Sequence, residues 1–176
     1  MQVPRGDAVR PATDGLRQAL FSSLAARIRS SRFLDLFAGS GAYGLEALSR
    51  GAVAGLFVER SRQAASCLRG NLAAVCKSLG RDEAGLEVRE GDALRIALDS
   101  ASGPPDLVFI DPPYEIIPEI AAPLFGRLET LLAASPDAFV VLEAPGGLTV
   151  ELPNWTLVKQ IGRGSRQPTA NIFRRR

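Results

Sequence analysis

The chain has 176 residues, a formal net charge of +2 and 46% apolar residues, which is typical of one soluble globular domain. It contains no histidine, which excludes Ser-His-Asp hydrolysis and histidine-bound zinc chemistry. No apolar stretch is long enough to span a membrane, and residues 1–4 do not begin a signal peptide, so we expect a cytoplasmic protein. The two cysteines, Cys67 and Cys76, share one predicted helix, and we expect neither a disulfide nor a metal site.

Short apolar runs alternate with segments of helical periodicity along the chain after residues 1–10, which we expect to form a flexible arm. The predicted helices cover 14–28 with Thr13 as N-cap, a helix from the glycine-rich turn to Arg50, 62–79, 93–98 and 116–134. The predicted strands cover 33–37, 55–58, 86–89, 107–110, 139–142, 155–161 and 171–174. This alternation predicts a single α/β domain over 1–176, a Rossmann-like doubly wound sheet with helices on both faces.

The segment Asp111-Pro112-Pro113-Tyr114 follows the apolar run 107–110, which is typical of a buried parallel strand that ends at its carboxyl edge. Prolines carry no backbone N–H, so the pair stiffens the turn and fixes the carbonyls around it. The loop offers a carboxylate, a rigid carbonyl and an aromatic face, a set that suits a planar base with an exocyclic amine. The alternative is an ordinary strand-ending turn that contains Pro-Pro.

A glycine-rich turn, Gly39-Ser40-Gly41-Ala42-Tyr43-Gly44, lies between the first strand and the next helix and fits the pattern G-x-G-x-x-G. Glu59 ends the following strand, at the place where an acidic residue binds a ribose. By themselves these two features indicate NAD, and an NAD-dependent oxidoreductase is therefore one alternative for the function.

Four acidic residues lie at or near the ends of the first four strands, and we expect all of them to line one crevice: Asp35, Glu59, Asp92 and Asp111. So much negative charge repels a pyrophosphate. S-adenosylmethionine instead carries a sulfonium cation, an ammonium, a ribose diol and an adenine amine, each of which suits an acceptor. The acids therefore favour S-adenosylmethionine, with Glu59 on the ribose and Asp92 and the Ala93 amide on the adenine. For any single acid, a helix cap or a surface charge is the alternative.

Arginines concentrate towards both ends of the chain: Arg5, Arg10, Arg17, Arg163, Arg166 and Arg174–Arg176. Such clusters are typical of a nucleic-acid-binding surface, and equally of solvated chain ends. The sequence leaves both interpretations open.

With these residues in place, the chain resembles the class I S-adenosylmethionine-dependent methyltransferases and, within them, the bacterial small-subunit (16S) ribosomal RNA guanine-N2 methyltransferases. The first block that carries the resemblance is Arg10-Pro11-Ala12-Thr13-Asp14 with Leu16-Arg17 and Leu20-Phe21. The others are Asp35-Leu36-Phe37-Ala38-Gly39-Ser40-Gly41 with Gly44-Leu45-Glu46-Ala47, and Asp111-Pro112-Pro113-Tyr114. The last two blocks are typical of amino-directed methyltransferases, and the first narrows the resemblance to this family.

The resemblance implies a seven-stranded, mostly parallel sheet with an antiparallel last strand, and ribosomal RNA or a small-subunit assembly particle as partner. Together with the pattern of acids it predicts S-adenosylmethionine as methyl donor, S-adenosylhomocysteine as product, no metal and no membrane contact; our default for the assembly is a monomer. Expected cofactor contacts are Asp35, Phe37, Ala38, Gly39, Ser40, Gly41, Gly44, Glu59, Arg60, Asp92, Ala93 and Asp111. Expected catalytic residues are Asp111, Pro112, Pro113 and Tyr114, and expected RNA contacts are Arg10, Thr13, Arg17 and Tyr114.

The chain departs from the family pattern outside the cofactor blocks. Gly15 stands where the family usually has arginine, and Gln18 where it has glutamate. The segment before Arg10 is shortened, and the tyrosine-glycine pair common near Gly162 is absent. These changes concern RNA recognition and the exact substrate, so three alternatives stay open beside the oxidoreductase: an amino-methyltransferase of DNA or another RNA, one of a free small molecule, and a non-catalytic RNA-binding protein.

Overall fold

A computed structural model describes residues 11–98, 103–162, 164 and 167–176 of the chain. Its helices are α1 (Pro11–Ser23), α2 (Ala25–Ile28), α3 (Ala42–Ser49), α4 (Arg62–Ser78) and α5 (Ile117–Leu131), with 3₁₀ turns at Tyr114–Ile116 and Leu132–Ala134. Its strands are β1 (Arg32–Leu36), β2 (Ala54–Glu59), β3 (Leu86–Glu90), β4 (Leu107–Ile110), β5 (Phe139–Pro145), β6 (Trp155–Ile161) and β7 (Pro168–Arg175).

The seven described strands form one sheet in the order β3-β2-β1-β4-β5-β7-β6. Strands β1 to β5 are parallel, β7 is antiparallel to β5, and β6 is antiparallel to β7. The last strand therefore runs against the other six, which confirms the predicted fold class. Because the strand order reverses between β1 and β4, a crevice opens beyond their carboxyl ends, where such sheets bind ligands.

Helices cover both faces of the sheet, and alternate residues of each strand face alternate layers. Phe33 packs in the layer of α1, α3 and α4, whereas Leu34 and Leu36 pack in the layer of α5. Asp35 therefore points into the first layer, beneath α3. This alternation with both layers apolar explains why the central strands are almost continuously hydrophobic in sequence.

The structure corrects two of the predicted helical segments. The helix predicted over 14–28 is divided at Leu24, where the Arg27 N–H donates to the Leu24 carbonyl at 2.8 Å, and Thr13, predicted as N-cap, lies inside α1. The helix predicted over 93–98 is a series of turns. Strands β5 and β7 are longer than predicted because they pair over seven residues each, from Phe139 with Arg174 onwards.

None of the helices in the described ranges is both long enough and apolar enough to cross a bilayer. The longest of them, α4, has 17 residues. The expected location in the cytoplasm remains a prediction.

The close approach of α3 to the sheet depends on a glycine. A Cβ atom at Gly44 would lie 2.3 Å from Cε1 of Phe57 and 2.6 Å from Cε2 of Phe33, both in the centre of the first layer. Gly70 is the matched case on α4, where a Cβ would meet no atom within 4 Å.

We predict that Gly44→Ala lowers the free energy of unfolding by about 1–3 kcal/mol, because overpacking forces the two rings apart. Gly70→Ala should raise it by up to about 1 kcal/mol, since alanine reduces the entropy of the unfolded chain. Urea denaturation of both variants checks this. Equal effects of the two substitutions would contradict the tight contact at Gly44.

Candidate active site

A cavity of about 610 Å³ opens at the carboxyl ends of the strands, beside the reversal of strand order. That volume is typical of a site for a small molecule or cofactor. Its described walls are Phe37, Gly39, Val58, Glu59, Arg60, Ser61, Gln63, Ala64, Gly91, Asp92, Ala93, Leu94, Asp111, Pro112, Pro113 and Ile116.

The glycine-rich turn shapes one wall of this cavity. Gly39 and Gly41 have φ angles of 54° and 92°, in the left-handed region that glycine adopts without strain. Phe37, at a φ of 60°, is in the same region although it is not glycine, and it lines the cavity. The Asn71 side chain on α4 donates to the Ser40 carbonyl at 3.1 Å and ties the turn to α4.

The backbone N–H groups of the turn already have acceptors within the protein. The Gly39 N–H donates to Oε2 of Glu59 at 2.8 Å, and the Gly44 N–H donates to Oδ2 of Asp35 at 2.8 Å. The Gly41 N–H donates to the Ala38 carbonyl at 2.7 Å. A dinucleotide site needs such groups for a pyrophosphate. Their use here disfavours NAD.

Glu59 is half-buried at the end of β2, and both oxygens of its carboxylate are oriented by the backbone. Oε2 accepts from Gly39, and Oε1 accepts the Ser61 N–H at 2.6 Å. Each oxygen keeps a second lone pair for another donor. The carboxylate is thus a fixed acceptor on the cavity wall, as a ribose diol requires.

Asp92 begins a tight turn that follows β3 and also lines the cavity. Its Oδ1 accepts the Leu94 N–H at 2.9 Å. Arg127 of α5 donates to the carbonyls of Ala93 at 2.7 Å and Ile96 at 2.5 Å. These contacts attach the segment to α5, and the segment forms turns rather than the predicted helix.

Asp35 does not line the cavity, contrary to the expectation that all four strand-end acids would do so. Its side chain is 1% exposed and accepts the Gly44 N–H beneath the glycine turn. Burial and the nearby Glu59 raise the pKa of Asp35 to about 7, although the Gly44 hydrogen bond lowers it. Asp35 therefore acts on the site through the backbone of the turn.

The segment that follows β4 also lines this cavity. Asp111, Pro112 and Pro113 line the cavity, as the sequence predicts. The Ile116 N–H donates to the Pro113 carbonyl at 3.2 Å, so the chain turns directly into the 3₁₀ segment that precedes α5. Burial, Glu143 and Asp35 raise the pKa of Asp111, whereas Arg17 lowers it.

Tyr114 leaves the cavity wall and meets a residue that the sequence did not single out. Its hydroxyl donates to Oε1 of Glu143, on β5, at 3.0 Å. The Tyr43 hydroxyl donates to Oε2 of the same carboxylate. Burial and the charges of Glu143 and Asp111 raise the pKa of Tyr43. The sequence signal that could have indicated Glu143 is its position at the end of the predicted fifth strand, like the other four acidic residues.

The other predicted residues divide between the turn and the outer surface. Arg60 lines the cavity, whereas Ala38, Ser40, Gly41 and Gly44 shape the turn without lining it. Arg17 of α1 pairs with Asp14 and lines a second cavity of about 530 Å³ with α3 and α4. Its charge nonetheless acts on Asp111. Arg10 lies outside the described residues, and the structure describes Thr13 only as part of α1.

The arginines at the C-terminal end lie away from this cavity. Arg174 pairs with Asp137 at 2.8 Å, and Arg175 donates to the Glu129 carbonyl at 3.1 Å. Both residues are at the amino-terminal edge of the parallel strands, opposite the site. Arg5, Arg163 and Arg166 are outside the described residues. No group of three potential metal ligands among His, Cys, Asp and Glu occurs in the described parts of the chain.

A family model described as Conserved hypothetical protein 95 matches residues 1–170. The chain belongs to this family. Ribosomal RNA small subunit methyltransferase D from Escherichia coli (strain K12) is 33% identical over 162 residues, which cover 91% of this chain and 77% of that protein. The protein of the same name from Haemophilus influenzae is 34% identical over 163 residues, with 91% and 81% covered.

Solved structures have the same architecture. The candidate methyltransferase yhhF from Escherichia coli has a TM-score of 0.73 and 32% identity, with 99% of this chain and 90% of that chain covered. Magnesium protoporphyrin IX methyltransferase from Synechocystis PCC 6803, solved with bound S-adenosylmethionine, has a TM-score of 0.67 at 12% identity, with 97% and 87% covered. The similarity at 12% identity shows a shared fold only. The similarity at 32% identity agrees with the family membership given above.

We predict that Asp35→Asn removes a pH dependence of stability. The folded state binds the Asp35 proton up to about pH 7, whereas the unfolded chain releases it near 3.8, so the wild type loses stability as pH rises across this window. The difference between the two pKa values of Asp35 corresponds to a loss of about 4 kcal/mol in the free energy of unfolding. Thermal unfolding from pH 4 to 8 should show the Asp35→Asn variant gaining stability relative to the wild type as pH rises.

Asp106→Asn is the matched control for the loss of a charge, because this exposed carboxylate also accepts one backbone N–H bond, from Arg32 at 2.8 Å. A difference between Asp35→Asn and the wild type that stays constant from pH 4 to 8 would contradict the raised pKa.

Proposed function

We propose that the protein transfers a methyl group from S-adenosylmethionine to the N2 amine of a guanine in small-subunit ribosomal RNA. The observation that carries this proposal is one shared cavity, which is lined both by Asp111, Pro112 and Pro113 and by the carboxylates of Glu59 and Asp92. The curated names of the relatives supply the class of RNA. Guanine N2 follows from the sequence resemblance.

The cavity residues fit S-adenosylmethionine better than a dinucleotide. The Glu59 carboxylate would accept from the ribose hydroxyls, and Asp92 with the Ala93 amide would bind the adenine. The described N–H groups of the three glycines in the turn are already bound within the protein, which leaves none of them for a pyrophosphate. When bound, S-adenosylmethionine supplies an electrophilic methyl group on a sulfonium.

Asp111 and the Pro112 carbonyl act on the amine. An aromatic amine is a weak nucleophile because its lone pair is delocalised into the ring. Two hydrogen bonds from the amine to these acceptors would localise the lone pair and aim it across the cavity. Positioning and electrostatics then supply most of the rate. The methylated amine is a cation that releases its proton readily, so Asp111 need not be a strong base to accept it.

The base must leave its helix or loop to reach Asp111. The Tyr114 ring, at the end of the same loop and outside the cavity lining, would stack on it. Arg17 lies on α1 at the acceptor side, where its charge reaches Asp111, and it would bind phosphate. Binding should therefore weaken with salt, as contacts between arginine and phosphate do. Arg10 and Thr13 precede Arg17 in the sequence, and the family resemblance predicts them as further RNA contacts.

We predict that Asp111→Ala lowers methyl transfer to undermodified small-subunit RNA at least about a hundredfold, because both positioning of the amine and acceptance of its proton are lost. Binding of S-adenosylhomocysteine, measured by calorimetry, should persist at least in part, because Asp111 is only one of the expected cofactor contacts. Asp106→Ala is the matched control at the other end of β4 and should keep activity. Wild-type turnover by the Asp111 variant would refute the mechanism, and binding of NAD in place of S-adenosylhomocysteine would refute the function.

We also predict that Arg127→Met raises the Kd for S-adenosylhomocysteine about tenfold, because two hydrogen bonds that hold the Ala93 turn are lost. The kcat at saturating donor should change little, since the acceptor loop is untouched. Arg69→Met, which removes an arginine bond to the Val88 carbonyl on β3, is the control. A fall in kcat with an unchanged Kd would contradict this role for Arg127.

A further inference from the structure

Glu143 is a buried carboxylate beside the acceptor loop that the proposed mechanism does not use. It is 5% exposed and lies on β5, the strand adjacent to β4. A buried carboxylate requires hydrogen-bond donors, because desolvation of its charge is costly. Two tyrosine hydroxyls supply them, one to each oxygen: Tyr43 to Oε2 and Tyr114 to Oε1.

The two tyrosines differ in how firmly the fold holds them. Tyr43 is on α3, is 6% exposed, and stacks on the Phe109 ring of β4 with 5.6 Å between centroids and 24° between planes. Phe21 packs against both rings. Tyr114 is only partly buried, and its backbone belongs to a three-residue 3₁₀ turn. The rigid tyrosine thus fixes the carboxylate, and the carboxylate can fix the more exposed tyrosine.

We propose that Glu143 is a positioning residue, whose carboxylate is anchored by Tyr43 and holds the Tyr114 hydroxyl so that the ring keeps one orientation beside Asp111. Only the identity of the base that stacks on this ring rests on the proposed function. The two hydrogen bonds that link Tyr43, Glu143 and Tyr114 are independent of that function. The negative charge of Glu143 also raises the pKa of Asp111, so the two carboxyl groups interact electrostatically.

The first test needs no substrate, because Tyr43 and Tyr114 are the two tyrosines of the whole sequence. Protein labelled with ¹³C at tyrosine Cζ gives two NMR signals, and Tyr43→Phe assigns them. Glu143→Gln should shift both, since each hydroxyl loses a bond to a charged acceptor. A Tyr114 signal that stays at its wild-type position in Glu143→Gln would overturn the proposal, whatever the substrate of the enzyme.

The second test is kinetic, on undermodified small-subunit RNA. Glu143→Gln and Tyr114→Phe should each lower kcat about tenfold or more, the effect of one hydrogen bond to a charged group. The Kd for S-adenosylhomocysteine should stay within about twofold. The double variant should be no slower than the slower single variant, because the two changes remove the same contact. Multiplied losses in the double variant would overturn the proposal.

Glu129→Gln is the matched control. This carboxylate near the end of α5 also accepts from two side chains, Asn154 at 3.1 Å and the Trp155 ring N–H at 3.2 Å, and it should leave kcat unchanged. Where Glu143→Gln fails to fold, Tyr114→Phe alone still decides, since wild-type kcat in that variant would overturn the proposal. A wild-type enzyme that transfers no methyl group to this RNA would refute the proposed function, while the NMR signals would still decide the role of Glu143.

Discussion

The site depends on the cost of burying carboxyl groups at one edge of the sheet. The parallel pairing of β1, β4 and β5 places Asp35, Asp111 and Glu143 at the same edge of the sheet. Glu59 ends β2, on the other side of β1. Each unpaired charge there would cost several kcal/mol. Backbone N–H groups of the glycine turn satisfy Asp35 and Glu59, and tyrosine hydroxyls satisfy Glu143. The bonds of Glu59 and Asp35 hold the glycine turn, which forms part of the cavity wall.

This distribution also explains why a glycine-rich turn of dinucleotide type suits a different ligand here. The G-x-G-x-x-G pattern by itself indicates a phosphate site. In the structure, the acid that ends β2 and the acid inside β1 take the Gly39 and Gly44 N–H groups. The decisive difference is therefore the hydrogen-bond partner of each glycine rather than the glycine spacing.

Much of the fold could be predicted from sequence because strands such as 107–110 are short, continuously apolar and followed by an acid. The helix predicted over 93–98 is wrong, and no local pattern indicates that the carbonyls of this segment bind the remote Arg127. The Tyr43–Glu143 contact joins residues 100 positions apart, so no local pattern indicates it. The prediction that Asp35 lines the cavity is wrong because its position near a strand end does not tell which face of the sheet the side chain points to.

The most direct measurement is the identity of the methylated nucleoside. Small-subunit RNA and assembled particles that lack the modification are incubated with the protein and S-adenosylmethionine labelled in its methyl group, then digested and separated by mass spectrometry. Our account predicts N2-methylguanosine as the labelled product. Label on an adenine or cytosine amine, or none in either substrate, would contradict it.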